Sequence, residues 1–210
     1  MIVNGFLHIV VSRHGFQAND VGPIAIESDD IDEYVERITA AMEGIDFSSL
    51  THISVSGFDD GVVFLGDDFR PLRPIIWADD ESSVPDAGWC NKKHDESWWT
   101  HEVGVVPTHR HMVTKLSWLH RSEPETWSKV RRVCTPAQYI RWRVGRDTSG
   151  PIVATEAESA TTALWNPTGH SYSTEVLSLI DGDLRWQGVL PDVRPDGSTV
   201  GSLYGVLVQL

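Results

Sequence analysis

Between Asp30 and Met42 the chain carries its clearest periodic segment, and the two runs flanking it decide what it can fold into. Asp30-x-x-Glu33 is a capping-box-like start, and Ile31, Val35, Ile38 and Met42 recur at helical spacing until Gly44 stops the pattern. Ahead of it, Phe6 to Val11 (Phe-Leu-His-Ile-Val-Val) is a short apolar, β-branched run. Behind it, His52-Ile-Ser-Val-Ser56 alternates and ends at Gly57. Gly61 to Leu65, a Gly66-Asp67-Asp68 turn and Pro71 to Trp77 then read as a hairpin. Strand, helix, strand and hairpin in that order imply an α/β fold with a mixed sheet.

Elsewhere the patterns are weaker. The segment through Gly22-Pro23 is a loop, with Ile24-Ala25-Ile26 a strand fragment. Asp79 to His111 is polar, acidic and rich in Trp, without clean periodicity. Val113, Leu116 and Leu119 share a helical face that Pro124 breaks. Trp127, Val130 and Val133 continue at similar spacing, and Pro136 opens a further helix through Tyr139, Ile140 and Val144 to Gly145. Ser173 to Ile180 is one more helix. A coil marked by Leu190-Pro191 and Gly201 leads to a closing strand, Tyr204 to Leu210.

Charge and composition exclude several classes of function. A chain of 210 residues buries roughly 70% of its unfolded surface, enough for a core without disulfides or metal. With 17 Lys and Arg against 30 Asp and Glu, the net charge of −13 disfavours nucleic acid as a partner. Seven basic residues lie between Arg121 and Arg146; they read as a solvated helix face. Cys90 and Cys134 have no CxxC spacing, so neither a disulfide framework nor a zinc finger is indicated. The N-terminus has no basic leader, and no stretch reaches the 18 or so apolar residues that cross a bilayer. The expectation is a cytoplasmic protein without a membrane partner.

The residues offer little conventional catalytic apparatus. There is no GxxxxGK[ST] or GxGxxG phosphate loop and no GxSxG elbow, and Ser56 reads as a strand end. His109-Arg-His111 spaces two imidazoles for a metal on a strand, but no third ligand is placed; loop histidines are the plainer reading. A metal hydrolase built on these histidines and the acidic pairs is a third, minor possibility. Asp67-Asp68 suits a turn, where Asp bonds the local backbone. Asp59-Asp60 and Asp79-Asp80 lie at strand ends, where α/β sheets present ligand-binding groups. They can accept hydrogen bonds from sugar hydroxyls or simply be solvated loop residues. Nine tryptophans add stacking surfaces, with core packing the default for Trp118, Trp127 and Trp142.

The stretch "HISVSGFDDGVVFLGDDFRPLRPIIWADDES" (from His52) resembles the sugar-site segment of the FGGY carbohydrate kinases, of xylulokinase, gluconokinase or rhamnulokinase type. "VTKLSWLHRSEPETW" (Val113 to Trp127) is similar to the family's Lys-Leu-x-Trp-Leu helix. "TPAQYIRWRVGR" (Thr135 to Arg146), "ESATTALWNPTGHSYSTEVL" (Glu158 to Leu177) and "LPDVRPDGSTVG" follow in the family's order. The resemblance implies a ribonuclease-H-like, actin-type ATPase domain, a mixed sheet flanked by helices and incomplete at the N-terminus. It implies a kinase that moves the ATP γ-phosphate to a hydroxyl of a xylulose-like ketose or related sugar, with ATP and Mg as cofactors. Carried over, Asp59, Asp60, Trp77 and Asp79 are the substrate-binding residues, Asp59 and Asp60 standing where a Met-His sugar contact is usual. Glu81 stands where Arg is usual.

Residues 1–210 then correspond to a partial N-terminal, sugar-side domain. The family's Asp-x-Gly-Thr hairpin is expected ahead of Val10, and its second, ATP-binding domain with the catalytic base beyond Gly201. On that expectation no catalytic, cofactor or metal residue is assigned, ATP and Mg do not bind fully, and the chain is inactive alone. The alternative is a non-catalytic sugar-binding or interaction module descended from a sugar kinase. An unpaired strand or exposed apolar surface at the place of the missing parts implies self-association, as a dimer.

Overall fold

The central strand of this protein is its first. A computed structural model describes residues 5–19, 21–43, 45–57, 61–145, 150–203 and 205–210. The chain runs β1 (Phe6–Ser12), β2 (Gly15–Ala18), β3 (Val21–Ala25), α1 (Ile31–Met42), β4 (His52–Gly57) and β5 (Val63–Leu65). Next come α2 (Val84–Lys93), α3 (Glu96–Val103), α4 (Met112–Ser122), α5 (Pro124–Trp127), β6 (Arg132–Cys134) and α6 (Pro136–Val144). The last third holds β7 (Val153–Ala154), α7 (Glu156–Ala160), β8 (Trp165–Asn166), β9 (Ser171–Tyr172), α8 (Thr174–Ile180), β10 (Asp192–Val193), β11 (Thr199–Leu203) and β12 (Val206–Gln209).

Six strands form one sheet in the order β11-β12-β4-β1-β2-β3. β1, β4 and β12 are parallel, with Val11 opposite Gly57 and Val208 opposite Ile53. β2 and β3 extend one side and β11 the other by antiparallel pairing. This is the mixed sheet flanked by helices that the sequence implied. Its inner face packs Leu7, Ile9, Val11, Ile53 and Val55 against Ile31, Tyr34 and Ile38 of α1 and Tyr139 and Ile140 of α6. A second core gathers Phe64 and Val133 with Trp99, Leu116, Leu119, Val176 and Leu177 from α3, α4 and α8.

Local chemistry accounts for the helix starts. Asp30 caps α1 by accepting from the Asp32 amide at 2.9 Å. Thr135 with Gln138, and Thr155 with Glu158, form reciprocal capping boxes on α6 and α7.

The fold departs from the sequence expectation in several places. The segment before Ile24 is a hairpin, β2 and β3, because the long β1 offers an open edge to pair with. β1 is bonded on both edges, so the expected unpaired strand is not found there. Asp79 to His111 contains α2 and α3; their apolar positions are too irregular to announce a face, and Pro85 and the Asp95 cap start them. Arg132–Cys134 does not continue a helix but pairs antiparallel with β5, Val63 opposite Cys134. The Gly61 to Trp77 hairpin is reduced to the bridges Val62–Ile76 and Leu65–Pro71. Pro71 and Pro74 lack the amides a full ladder needs. The coil after Leu190 includes β10 and β11.

Candidate functional site

Parallel pairing brings the carboxyl ends of β1 and β4 together, the edge at which open α/β sheets receive ligands. A cleft of about 260 Å³ opens there. Its floor is Val11 and Gly57, and its walls include Trp77, Ala137, Glu158 and Thr161. A Cβ on Gly57 would stand 3.3 Å from the Ala137 Cβ and 3.4 Å from the Val11 carbonyl, so any larger residue intrudes on the α6 contact.

Trp77 is 2% exposed, and its indole N–H donates to Asp29 Oδ1 at 2.7 Å. Its ring lies tilted against Tyr34, centroids 5.8 Å apart. The Tyr34 hydroxyl in turn donates to the Arg13 carbonyl at 2.6 Å. Asp79, two residues after Trp77, forms an ion pair with Arg13 in the β1–β2 turn. That pairing raises the Arg13 guanidinium above its ordinary value, mainly through the hydrogen bond to Asp79.

Asp80 caps the short turn Glu81–Ser83, accepting from the Ser82 amide at 2.8 Å. Burial alone would raise its carboxyl, but the Ser82 bonds and the charges of Lys115 and Arg73 bring it below the ordinary value. Lys115 of α4 is fully buried beneath this loop, donating to the carbonyls of His109 (2.9 Å) and Asp80 (3.4 Å). Burial brings its ammonium down to about 8, against the opposing pull of Asp80 and Asp79.

Arg141 is, with Lys115, a buried cation among the described residues, 2% exposed. It donates to both oxygens of Glu158 (2.9 and 3.0 Å) and to the carbonyls of Val55 (3.1 Å) and Val153 (2.9 Å). It therefore ties β4, β7 and α7 together behind the cleft. Arg141 is thus the exception to the reading of the Arg121 to Arg146 cluster as a solvated face, for Arg121, Lys129 and Arg131 are exposed. Arg121 pairs with Asp86, Arg143 with Asp32 and Arg131 with Asp67, while Arg146 lies outside the described residues.

Of the four residues expected to contact a sugar, Trp77 lines the cleft, while Asp79 is outside its lining and is held by Arg13. Asp59 and Asp60 lie outside the described residues. Asp68 accepts from the Arg70 amide at 3.0 Å, a turn role as expected. His111 bonds the Thr108 amide at 2.9 Å, and burial lowers its imidazolium. Among the described residues, no three His, Cys, Asp or Glu side chains converge to hold a metal. Cys90 and Cys134 are buried thiols that burial pushes up, Cys90 to about 12, so neither is a ready nucleophile. Asp29, Lys115 and Arg141 were missed as parts of the site. Lys115 had two visible signals, its place in the Lys-Leu-x-Trp-Leu motif and on the apolar stripe of Met112, Leu116 and Leu119.

The arrangement can hold a small polar molecule between an indole wall and carboxylate and hydroxyl groups. The β1–β2 turn reads Ser12-Arg13-His14-Gly15, with a cation and an imidazole and no Asp-x-Gly-Thr. No helix among the described residues is long and apolar enough to cross a membrane.

Known proteins resemble this chain over nearly its whole length. Residues 11–208 match the model described as the FGGY family of carbohydrate kinases, N-terminal domain. The xylulose kinase of Streptomyces rubiginosus is 26% identical over 152 residues, 72% of this chain and 30% of that protein. That of Streptomyces coelicolor is 28% identical over the same extent. Among solved structures, a ligand-bound xylulose kinase from Lactobacillus acidophilus has a TM-score of 0.79 at 15% identity, covering 98% of this chain and 47% of that one. A gluconate kinase from the same organism matches with a TM-score of 0.79 at 14% identity, over 97% and 46%. The chain thus spans about a third of the curated relatives it matches and about half of these solved chains.

Proposed function

The chain belongs to the FGGY family of carbohydrate kinases, and from that premise we propose that it is the sugar-side part of such an enzyme, binding a xylulose-like ketose without transferring phosphate to it alone. Residues 1–210 are on this reading a partial N-terminal domain, with the ATP-binding domain a separate part. The observation that carries the reading is the cleft at the carboxyl ends of β1 and β4, walled by Trp77 of the Trp-x-Asp motif. Its volume, about 260 Å³, is just below the range of drug-sized ligand sites and suits a monosaccharide better than a nucleotide.

Trp77 offers an apolar surface against the C–H face of a sugar, and its orientation is fixed by Asp29 and Tyr34. Asp79 and Thr161 are the groups available to bond hydroxyls, and Asp59 and Asp60 complete the expected contact set. Glu158 contributes through Arg141, which holds the α7 wall in place. Kinases of this family use ATP and a divalent metal. The residues present do not fit that pair: the hairpin turn carries Arg13 and His14, and no carboxylate set converges nearby among the described residues. Those groups do not make a cradle that would orient and neutralise a transferring phosphoryl group. Partners on this reading are a small sugar and a second copy of the chain, with nucleic acid disfavoured by the charge of −13, in the cytoplasm.

One observation favours the alternative, a non-catalytic module descended from a sugar kinase. Asp79 is already engaged by Arg13, and Glu81 replaces the usual Arg beside it. Calorimetric titration with D-xylulose, gluconate and rhamnulose, alongside an ATP-consumption assay, separates the readings. Binding of a ketose that weakens in Asp79→Ala supports the sugar domain. No binding of any sugar supports the module, and ATP-dependent phosphorylation by the 210-residue chain overturns the inactivity.

A further inference from the structure

One wall of the cleft is built by α7 and the residue after it, and the hydrogen bonds already made there decide what that wall can still offer. The carboxylate in it is Glu158 rather than Asp79. A carboxylate has about four lone-pair positions. Glu158 fills three: Oε1 accepts from Arg141 Nη1, and Oε2 accepts from Arg141 Nη2 and the Thr155 amide. One acceptor position on Oε1 stays open. Thr161 donates its hydroxyl proton to the Glu158 carbonyl at 2.9 Å, so its Oγ1 has only lone pairs left to give. The helical backbone continues through Thr161, with φ −73° and ψ −11°, and residues three apart on it are neighbours on one face.

Donors are scarcer in the same wall. The Trp77 indole N–H is committed to Asp29. The Nη protons of Arg141 go to Glu158 and to the Val55 and Val153 carbonyls, and its Nε is sealed from solvent. The guanidinium therefore braces Glu158 and has no exposed proton for a ligand. Among the described lining residues the side-chain donor is the Thr135 hydroxyl, whose oxygen also accepts from the Gln138 amide at 3.3 Å. The residues next in sequence after Gly57 are Phe58, Asp59 and Asp60, none of them cationic.

The geometry points to a cleft that selects neutral polyols and rejects sugar acids. Neighbouring hydroxyls of a polyol donate to Glu158 Oε1 and Thr161 Oγ1 while its C–H face lies on Trp77. A ligand carboxylate brings oxygens that only accept. They meet the same lone pairs and lose their water without a donor to replace it. One hydrogen bond left unmade in this way corresponds to discrimination of about ten-fold or more. The inference rests on the cleft being a ligand site, as proposed above, but not on the ligand being a ketose.

Nuclear magnetic resonance titrations of the isotope-labelled chain, read at the Ala157 and Thr161 amides, test it with xylitol, D-xylulose and D-xylonate. Of these five-carbon ligands only D-xylonate is charged. The neutral two bind about ten-fold or more tightly than D-xylonate. Thr161→Val, at an exposed position, narrows that gap by weakening the neutral ligands. Glu158→Gln puts an amide donor in the wall and narrows it by admitting D-xylonate; should that variant not fold, Thr161→Val alone decides. Glu156→Gln removes the same charge outside the lining and leaves the gap as it was. D-Xylonate bound as tightly as xylitol, a gap unaltered in Thr161→Val, or one that Glu156→Gln closes equally overturns the proposal. Xylitol bound without D-xylulose supports this inference and removes the ketose from the reading above. Binding of neither neutral ligand overturns both.

Discussion

Arg13 and Asp79, 66 residues apart in the chain, form an ion pair that joins the β1–β2 turn to the loop after Trp77. On the proposed reading, the carboxylate that the Trp-x-Asp motif would offer to a sugar is thus held by a cation from the turn at the end of β1. Any sugar that reaches Asp79 competes with Arg13 for it.

Removing that competitor has a predictable direction. Arg13→Ala is expected to tighten ketose binding by up to about five-fold, because an exposed ion pair of this kind is worth about 0.2–1 kcal/mol. Stability should change by less than about 0.5 kcal/mol. Calorimetry on both proteins decides it; weaker binding in Arg13→Ala would show that Arg13 is itself a ligand.

Breaking the buried pair behind the cleft should be far more costly. Glu158→Ala leaves the Arg141 guanidinium buried and uncompensated, for a loss of about 3–5 kcal/mol in urea unfolding. Arg141→Met together with Glu158→Leu is expected to cost less than Glu158→Ala alone. A double variant at least as unstable as the single would show that the pair itself, not the stranded charge, carries the energy.

Lys115 sets a pH dependence. Its folded value, about 8, lies below the ordinary 10.5. Below pH 8 both states carry the proton and folding bears the cost of burying the charge. Between about pH 8 and 10.5 the unfolded chain binds the proton and the folded one does not, so stability attributable to Lys115 rises with pH. Allowing for solvent screening, the rise is about 1–2 kcal/mol. Denaturation midpoints of the unaltered chain and Lys115→Met, measured from pH 7 to 10.5, should diverge in favour of lysine; parallel curves would exclude this role.

Asp29→Ala should strand the buried Trp77 N–H and cost about 1–3 kcal/mol. Asp29→Asn keeps an acceptor and should cost much less. Unfolding followed by tryptophan fluorescence compares the two, and equal losses would place the effect in the backbone near Asp29 instead.

The legible parts of the site were those written as local motifs. Trp77 and Asp79 could be singled out because they are two residues apart, α1 because cap and apolar stripe share a short stretch, and α6 because Pro136 opens a short apolar run. Arg141 was misread because a basic residue in a basic cluster looks solvated until Glu158, 17 residues on, folds against it. Asp29 gave no signal at all, since its partner Trp77 lies 48 residues away. The hairpin β2–β3 was missed because its strands are short and draw their stability from the open edge of β1.

By itself the sequence determined the α/β class, the capped helix α1, the Pro136-led helix α6 and the family, all from order and spacing along the chain. Only the tertiary structure decided which cations are buried and that Arg13 holds Asp79. Periodicity and capping are satisfied within a turn or two of backbone. An ion pair across 66 residues, or a buried guanidinium that ties β4, β7 and α7 together, exists only once the packing of the sheet and its helices has brought those residues together.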